Sequence, residues 1–460
     1  MFTYLLRRLL LMVPTLLGIT VVVFAIMAAA PGGISAQSLI EGLNLEPQAK
    51  RAMEDYYNRM YGLDQPTPVQ YLRWLNNVSP VGFTVDEAGQ FSGFSFWKGS
   101  DLGTSFRYGR PVADLVAERL PVTLLLNLLS IPLIYIVAIA VGVRAATARG
   151  GRFDTASGIV LLGLWSVPTM LAGVLMIGFL ASEQFWRVFP TGGLSELEAA
   201  AMPFLPHWER MADLLLLLAL TGVSTGAMVA LALQASQRTR AWTGGLLGLV
   251  LGGLLAVQQG GAGSGMLYLL LGMACGVGLA LAAAGSSPAL RVLLLGTTGM
   301  GLGVGWAMAL TPGGFVPGFL LDRIWHLILP VICLAYGGFA FLAKLTRSSV
   351  LENLLSDYAR TARAKGVDES DILWRHVFRN SLLPLITVSA TLLPSLLAGS
   401  VIVESIFSID GMGKLAVEAV QTRDRELVLS VTLISGLLTL AGYLLADIGY
   451  AIADPRVSYD

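Results

Sequence analysis

Long apolar runs separated by short polar segments fill most of this chain. The first, from about Leu9 to Ala30, follows Arg7 and Arg8; at about 1.5 Å per residue it is long enough to cross a hydrocarbon core of about 30 Å. It exceeds the roughly 7 to 15 apolar residues of a secretory signal, and Pro31 follows directly. It therefore reads as a retained span, although Ala28-Ala29-Ala30 resembles a cleavage site. Similar runs cover Leu120 to Val143, Thr155 to Ala181, Met211 to Leu233, Trp242 to Val257, Gly265 to Ala284, Val292 to Leu310, Asp322 to Lys344, Leu382 to Ser405 and Leu427 to Ala451. The pattern predicts an all-α, polytopic helical membrane protein with about ten transmembrane helices. It divides the chain into an N-terminal transmembrane helix (1–31), an extracytoplasmic subdomain (32–118), transmembrane helices 2 and 3 (119–196), about four inserted helices (197–319) and a core (320–460).

The basic residues orient these spans. Arg7 and Arg8 place the N-terminus in the cytoplasm, and Arg144, Arg149 and Arg152 mark a cytoplasmic turn. Arg238 and Arg240 predict one inner turn of the insert and Arg291 another, while Gln258 to Ser264, without a basic residue, predicts an outer turn. The C-terminus then also lies in the cytoplasm. The polar subdomain before Glu118 reads as helix over Pro47 to Tyr61 and carries Tyr56, Tyr57, Tyr71, Trp74, Phe94, Phe96 and Trp97, which suit a core, an interfacial belt or a docking face.

Composition narrows the chemistry. Hydrophobic residues make up 55% and charged residues 13%, against about 25% charged in soluble domains, and the mean hydropathy is +0.70. A formal net charge of zero leaves no global footprint for nucleic acid. The two cysteines, Cys275 and Cys333, lie in apolar runs and suggest neither a disulfide framework nor a metal site. Gly244, Gly248 and Gly252, and likewise Gly272 and Gly276, have the small-residue spacing that lets helices approach closely.

The longest polar stretch of the second half runs from Asp357 to Pro384. Asp357 suits a helix cap, Arg363 and Lys365 favour its last turn, and Gly366 supplies the left-handed residue that ends it. Asp368, Glu369, Ser370 and Asp371 start a second helix, with Leu373, Trp374, Val377 and Phe378 as its apolar stripe and Arg375 and Arg379 facing away. Such an element suits a groove in a cytosolic partner, and it equally suits a basic loop that only obeys topology.

The run Tyr358 to Gly366, followed by His376, Asn380, Leu383 and Pro384, closely resembles the coupling loop of permeases of the dipeptide/oligopeptide (and nickel) ABC import family. Leu6-Arg7-Arg8-Leu9, Val13 to Gly18, Tyr61 to Pro66, Val69-Gln70-Tyr71, Asp101 to Ser105, Glu118 to Thr123, Val403 to Ser408, Gly411-Met412-Gly413 and Asp454-Pro455-Arg456 continue the likeness, except over roughly Leu197 to Phe319. The resemblance implies a type I ABC importer permease fold in the bacterial cytoplasmic (inner) membrane, with a cytoplasmic coupling loop over 346–381. It also implies two cytosolic ATP-binding subunits, a second homologous permease subunit and an extracytoplasmic solute-binding protein. ATPase contacts then fall on Asp357, Tyr358, Arg360, Thr361, Arg363, Ala364, Lys365, Gly366, His376 and Asn380. Where the general importer signature has Glu-Ala-Ala, this chain reads Arg360-Thr361-Ala362, which puts charge contacts inferred from that signature in doubt. The family implies peptide import, with nickel or another small solute as the alternative.

Within the spans, Thr123, Asn127, Ser130, Ser166, Thr169, Thr387, Thr391 and Ser395 could line a substrate path or simply bond a neighbouring helix. Glu404 could meet a substrate amine or sit in the outer interface. Ser408 to Leu415 mimics a phosphate loop but lacks its first glycine and final hydroxyl residue, and three histidines leave little for metal hydrolysis. The chain is therefore expected to be no enzyme and to hold no cofactor or metal, with ATP bound by its partners. An ion-driven transporter would need buried charged relays, and the spans offer only the terminal Glu404 and Asp447.

Overall fold

The computed structural model describes residues 2–30, 46–61, 63–85, 91–185, 188–208, 210–258, 276, 288–310, 315–316 and 318–453. Along the chain lie α1 (Phe2–Ala29), α2 (Pro47–Tyr61), α3 (Thr67–Val78), the strands β1 (Gly82–Val85) and β2 (Phe91–Ser95), α4 (Val112–Thr147), α5 (Arg152–Ser166) and α6 (Thr169–Met176). They are followed by β3 (His207–Trp208), α7 (Met211–Gln234), α8 (Gln237–Gln258), α9 (Pro288–Leu310), β4 (Phe315–Val316), α10 (Gly318–Leu354), α11 (Asp357–Ala364), α12 (Phe378–Ile406), α13 (Met412–Gln421) and α14 (Arg425–Ala453). The fold is that of a polytopic helical membrane protein; β1 with β2 and β3 with β4 form two small antiparallel ribbons. Five of the described helices are long and apolar enough to cross a membrane, and the bent pair α5 and α6 makes a sixth. Helices α8, α9 and α12 run for 22, 23 and 29 residues, and the expected span Gly265 to Ala284 lies outside the described residues. So do the outer turn Gln258 to Ser264 beyond Gln258, Cys275, and the motif residues Gly62 and Asp454-Pro455-Arg456.

Two compact units are present, Met1–Met176 with Ile328–Asp460, and Ile177–Leu327. In the first, α4 begins at Val112, well before the expected Leu120, since Ala113, Leu115, Ala117, Glu118 and Arg119 are good helix formers, and it carries Pro121 and Pro132 inside it. The third span is not one straight helix. Val167, ahead of Pro168, is forced into extended backbone (φ −84°, ψ 122°), and the chain turns by 96° between α5 and α6. The carbonyl of Val167 accepts the Tyr336 hydroxyl at 2.7 Å, so the break is closed by a side chain from α10.

The outer motif residues pack where helices start. The Gln70 amide donates to the carbonyls of Leu63 (3.1 Å) and Gln65 (2.8 Å) and accepts from Arg425 at 3.0 Å. Asp424 accepts from the Ser105 hydroxyl (2.5 Å), the Arg107 amide (3.1 Å) and the Leu427 amide (3.2 Å), which caps α14. Gly103 has φ +77°, and a β-carbon there would lie 3.0 Å from the Glu426 carboxyl. The aromatic residues divide. Trp74 is buried with Phe24, Val78 and Leu429, and Tyr71 packs on them, whereas Phe94, Phe96 and Trp97 stand exposed on or beside the β1–β2 hairpin.

Among the described residues of the second unit, a close helix approach is made by Gly299 and Gly303. Helix α9 packs on α7, and a β-carbon at Gly303 would lie 2.5 Å from both Thr221 Cα and Ser224 Oγ; one at Gly299 would lie 2.7 Å from the Ser224 carbonyl. The Ser224 hydroxyl donates to the Gly299 carbonyl at 2.6 Å across the seam. Gly244 is buried in α8, while the surroundings of Gly248, Gly252 and Gly272 lie outside the described residues. His326, buried inside α10, faces Asp322 one turn back, and no metal-binding cluster occurs among the described residues.

This seam gives a test with opposite signs. Gly303→Ala should destabilise the protein by about 1–3 kcal/mol through overpacking. Gly301→Ala, whose β-carbon meets nothing within 4 Å, should stabilise it by about 0.5–1 kcal/mol. Thermal unfolding of the purified variants in detergent reads both, and equal midpoints would dismiss the seam.

Candidate functional site

The polar stretch after α10 folds as a helix, a glycine bend and a second helical segment. Helix α11 starts one residue earlier than a capping Asp357 requires: Ser356 holds the extended cap position and Asp357 is the first helical residue, where its charge suits the helix dipole. The bend is the expected one. Gly366 has φ +77°, with the Gly366 amide bonding the Arg363 carbonyl and the Val367 amide the Ala362 carbonyl. Asp368 caps the next turn, its carboxylate accepting the Ser370 amide at 3.0 Å.

The second helix differs from expectation in two ways. It does not end before the membrane: a wide turn over Ile372–Val377 leads without a break into α12, because no glycine or proline interrupts the chain until Pro384. Its buried face keeps Val377, with Leu373 and Phe378 packed on the same cluster, but exchanges Trp374 for Ile372. Ile372 and Val377 are fully buried, whereas Trp374 is 50% exposed and packs edge-on against Phe378 at 5.1 Å.

That face is clamped by the ends of two long helices. Ala359, Ile372 and Val377 form one cluster with Val143 and Ala146 of α4 and Val350 of α10, with Ala362, Val367 and Leu373 against it. Polar contacts reinforce the clamp. Arg363 pairs with Glu369 at 2.7 Å across the bend and donates to the Leu354 carbonyl at 3.2 Å. The hydrogen bond that Arg363 donates to Glu369 also raises the Arg363 pKa above its ordinary value. Asn353 accepts the Tyr358 hydroxyl at 2.5 Å and donates to Ser381 at 3.1 Å, joining α10 to both helices of the loop. Opposite the clamp, Asp357, Tyr358, Arg360, Thr361, Arg363, Ala364, Lys365, Gly366, His376 and Asn380 are all exposed. Among the described residues, Lys365 and Arg379 have no ion-pair partner and neither does Asp368, so the exposed segment keeps a small excess of positive charge.

The expected path residues are not brought together. Asn127 and Ser130 are buried; the Asn127 amide donates to the Thr123 carbonyl of its own helix at 2.7 Å. Ser166 and Thr387 are exposed and bond their own helix turns at Leu162 and Leu383, and Thr169 is half-buried beside the break. The side chains of Thr391 and Ser395 lie outside the described residues. Glu404 is fully buried and holds the start of α13: its carboxyl accepts from Thr123 Oγ1 at 2.7 Å and from the Lys414 amide at 2.9 Å, while Thr123 Oγ1 accepts the Met412 amide at 2.8 Å. A β-carbon at Gly411 would fall 2.3 Å from the Glu404 carboxyl carbon and one at Gly413 2.6 Å from Val401 Cα. The apparent phosphate loop is thus an internal helix cap. Asp410 beside it is pushed up by burial, but its ion pairs with Lys414 (2.9 Å) and Arg119 (2.7 Å) prevail and hold it below the usual range.

The family of the binding-protein-dependent transport system inner membrane component matches this chain over residues 248–459, and the N-terminal part of that membrane component matches residues 1–127. The chain belongs to this family. It is 30% identical to the oligopeptide transport system permease protein AppB of Bacillus subtilis, with all of both chains covered. It is 25% identical to the inner membrane ABC transporter permease protein YejB of Escherichia coli O157:H7, with all of both chains covered. It is 27% identical to the dipeptide transport system permease protein DppB of Escherichia coli K12, covering all of this chain and 99% of that one. This binding-protein-dependent permease is therefore a multi-pass inner-membrane protein. The family match begins at 248, so it takes in the later part of the segment 197–319 that the recognisable motifs skip.

The bend of this permease can be tested alone. A β-carbon at Gly366 meets nothing within 4 Å, so Gly366→Val acts through backbone strain, at a cost of about 1–3 kcal/mol. Expression and membrane insertion should survive while transport is lost, and wild-type uptake by the variant would dismiss the bend as the element that fixes the loop.

Proposed function

We propose that this permease is the membrane-spanning subunit of an ATP-driven importer of di- or oligopeptides. An extracytoplasmic solute-binding protein delivers the substrate, a second homologous permease completes the membrane part, and two cytosolic subunits bind and hydrolyse ATP. The observation that carries the reading is the exposed face of 357–380 mounted on a buried clamp to α4 and α10. A partner pressed on that face would move the ends of both helices with it, because Ala359, Ile372 and Val377 leave the loop no independent motion. Closure of the ATPases would then switch the cavity between inward- and outward-open arrangements. The names of the curated relatives support peptide as the substrate class.

Uptake of a labelled peptide by vesicles holding the assembled transporter should require ATP and be abolished by orthovanadate. Uptake that survives vanadate and collapses with an ionophore would instead make it an ion-driven carrier.

Both termini are proposed to be cytoplasmic, with Arg238 and Arg240 in an inner turn and residues 258–264 outside. Thr239→Cys should resist an impermeant maleimide in intact cells and Gly261→Cys should react with it. The reverse labelling would invert the insert.

A further inference from the structure

A cavity of 690 Å³ opens between α4, α5 and α10, within the roughly 300–1,000 Å³ of ligand sites. Its walls are apolar: Ile159, Leu162 and Trp165 of α5 and Phe341 of α10, all exposed. Its ionisable lining is Asp154, Lys344 and Arg347. Asp154 is occupied by Arg347, through bonds of 2.5 and 2.7 Å to its two oxygens. Lys344 is exposed and has no hydrogen bond or ion pair among the described residues. The cavity thus combines one uncompensated cation with an apolar trough. From Asp154 to Trp165 the trough runs about 16 Å along α5, at about 1.5 Å per residue.

The charged end coincides with the turn that carries Arg144, Arg149 and Arg152, which is the cytoplasmic end in the orientation proposed above, on which this inference rests. We propose that the cavity binds an anionic phospholipid of the inner leaflet, its phosphate on Lys344 and one acyl chain along Ile159, Leu162, Trp165 and Phe341. A soluble anion would leave the apolar trough unfilled, and a neutral lipid would leave Lys344 unmatched. Basic pockets between spans at the cytoplasmic surface bind such headgroups for the same reason. The carboxylate of Asp154 does not oppose the phosphate, since Arg347 neutralises it.

The assembled transporter, stripped in detergent, is titrated with phosphatidylglycerol or phosphatidylcholine, and the retained lipid is counted by native mass spectrometry. Wild type should retain phosphatidylglycerol in preference, and Lys344→Gln should weaken that retention about fivefold while leaving phosphatidylcholine unchanged. Lys344→Arg should restore it, and Trp165→Ala should weaken both lipids. Equal retention by wild type and Lys344→Gln, or equal retention of the two lipids by wild type, would overturn the assignment. So would displacement of phosphatidylglycerol by millimolar inorganic phosphate, which would make the site one for the free anion. The readout contains no transport step, so it stands or falls apart from the peptide reading, and retention is indifferent to which side of the membrane the cavity faces.

Discussion

A backbone amide or carbonyl left without a partner in hydrocarbon costs several kcal/mol, and this structure is arranged around the places where its helices stop. Three of the interruptions described in the first unit are closed by side chains. Tyr336 meets the Val167 carbonyl at the break before Pro168, Thr123 and Glu404 meet the Met412 and Lys414 amides of α13, and Asp424, just ahead of α14, accepts the Leu427 amide while holding Ser105. These contacts join segments far apart in sequence. The same residues that allow the chain to turn within the bilayer therefore also fix which helices are neighbours.

The polar loop over 357–380 follows a related rule. Its bend uses a left-handed glycine and an Asp368 cap, both local devices. Its position depends on something longer in range, the apolar cluster that seats Ala359, Ile372 and Val377 against α4 and α10. Because the segment after the bend continues unbroken into α12, a force on the loop reaches the membrane through a helix rather than through a flexible link. The exposed Arg363–Glu369 pair adds little stability by itself, since ion pairs in water are worth roughly 0–1 kcal/mol, but it holds the two arms at one angle.

Much of this was legible in the sequence. Apart from Gly265 to Ala284, which lies outside the described residues, the apolar runs fall on helices, Gly366 located the bend, and Pro47 to Tyr61 read as the helix it is. What escaped was relational. Glu404 invites a functional role when seen as an isolated carboxylate in a span, and only the fold shows Gly411 and Gly413 bringing a helix start onto it. Glycine spacing pointed to α8 because that helix has the longer regular row, whereas the resolved seam uses Gly299 and Gly303, whose partners Thr221 and Ser224 lie some 75 residues earlier. The stripe of the second loop helix held at Leu373, Val377 and Phe378, and departed only in that Ile372 is buried while Trp374 is left half exposed beside the wide turn over Ile372–Val377.

The disposition of polar groups bears on where a substrate could pass. Hydroxyls in the spans mostly bond their own helix, as Ser166, Thr387 and Ser389 do to carbonyls four residues back. Asn127, Ser130 and Glu404 are turned into the packed interior of α4, α12 and α13. The cavity between α4, α5 and α10 is lined by none of the expected path residues, and its apolar walls suit a lipid chain better than a peptide. Among the described residues this chain therefore presents few groups that could strip water from a peptide backbone. A path assembled with the proposed second permease needs fewer polar contacts from each subunit, and Ser166 of α5 and Thr387 of α12 are the expected path residues that stand exposed among the described ones.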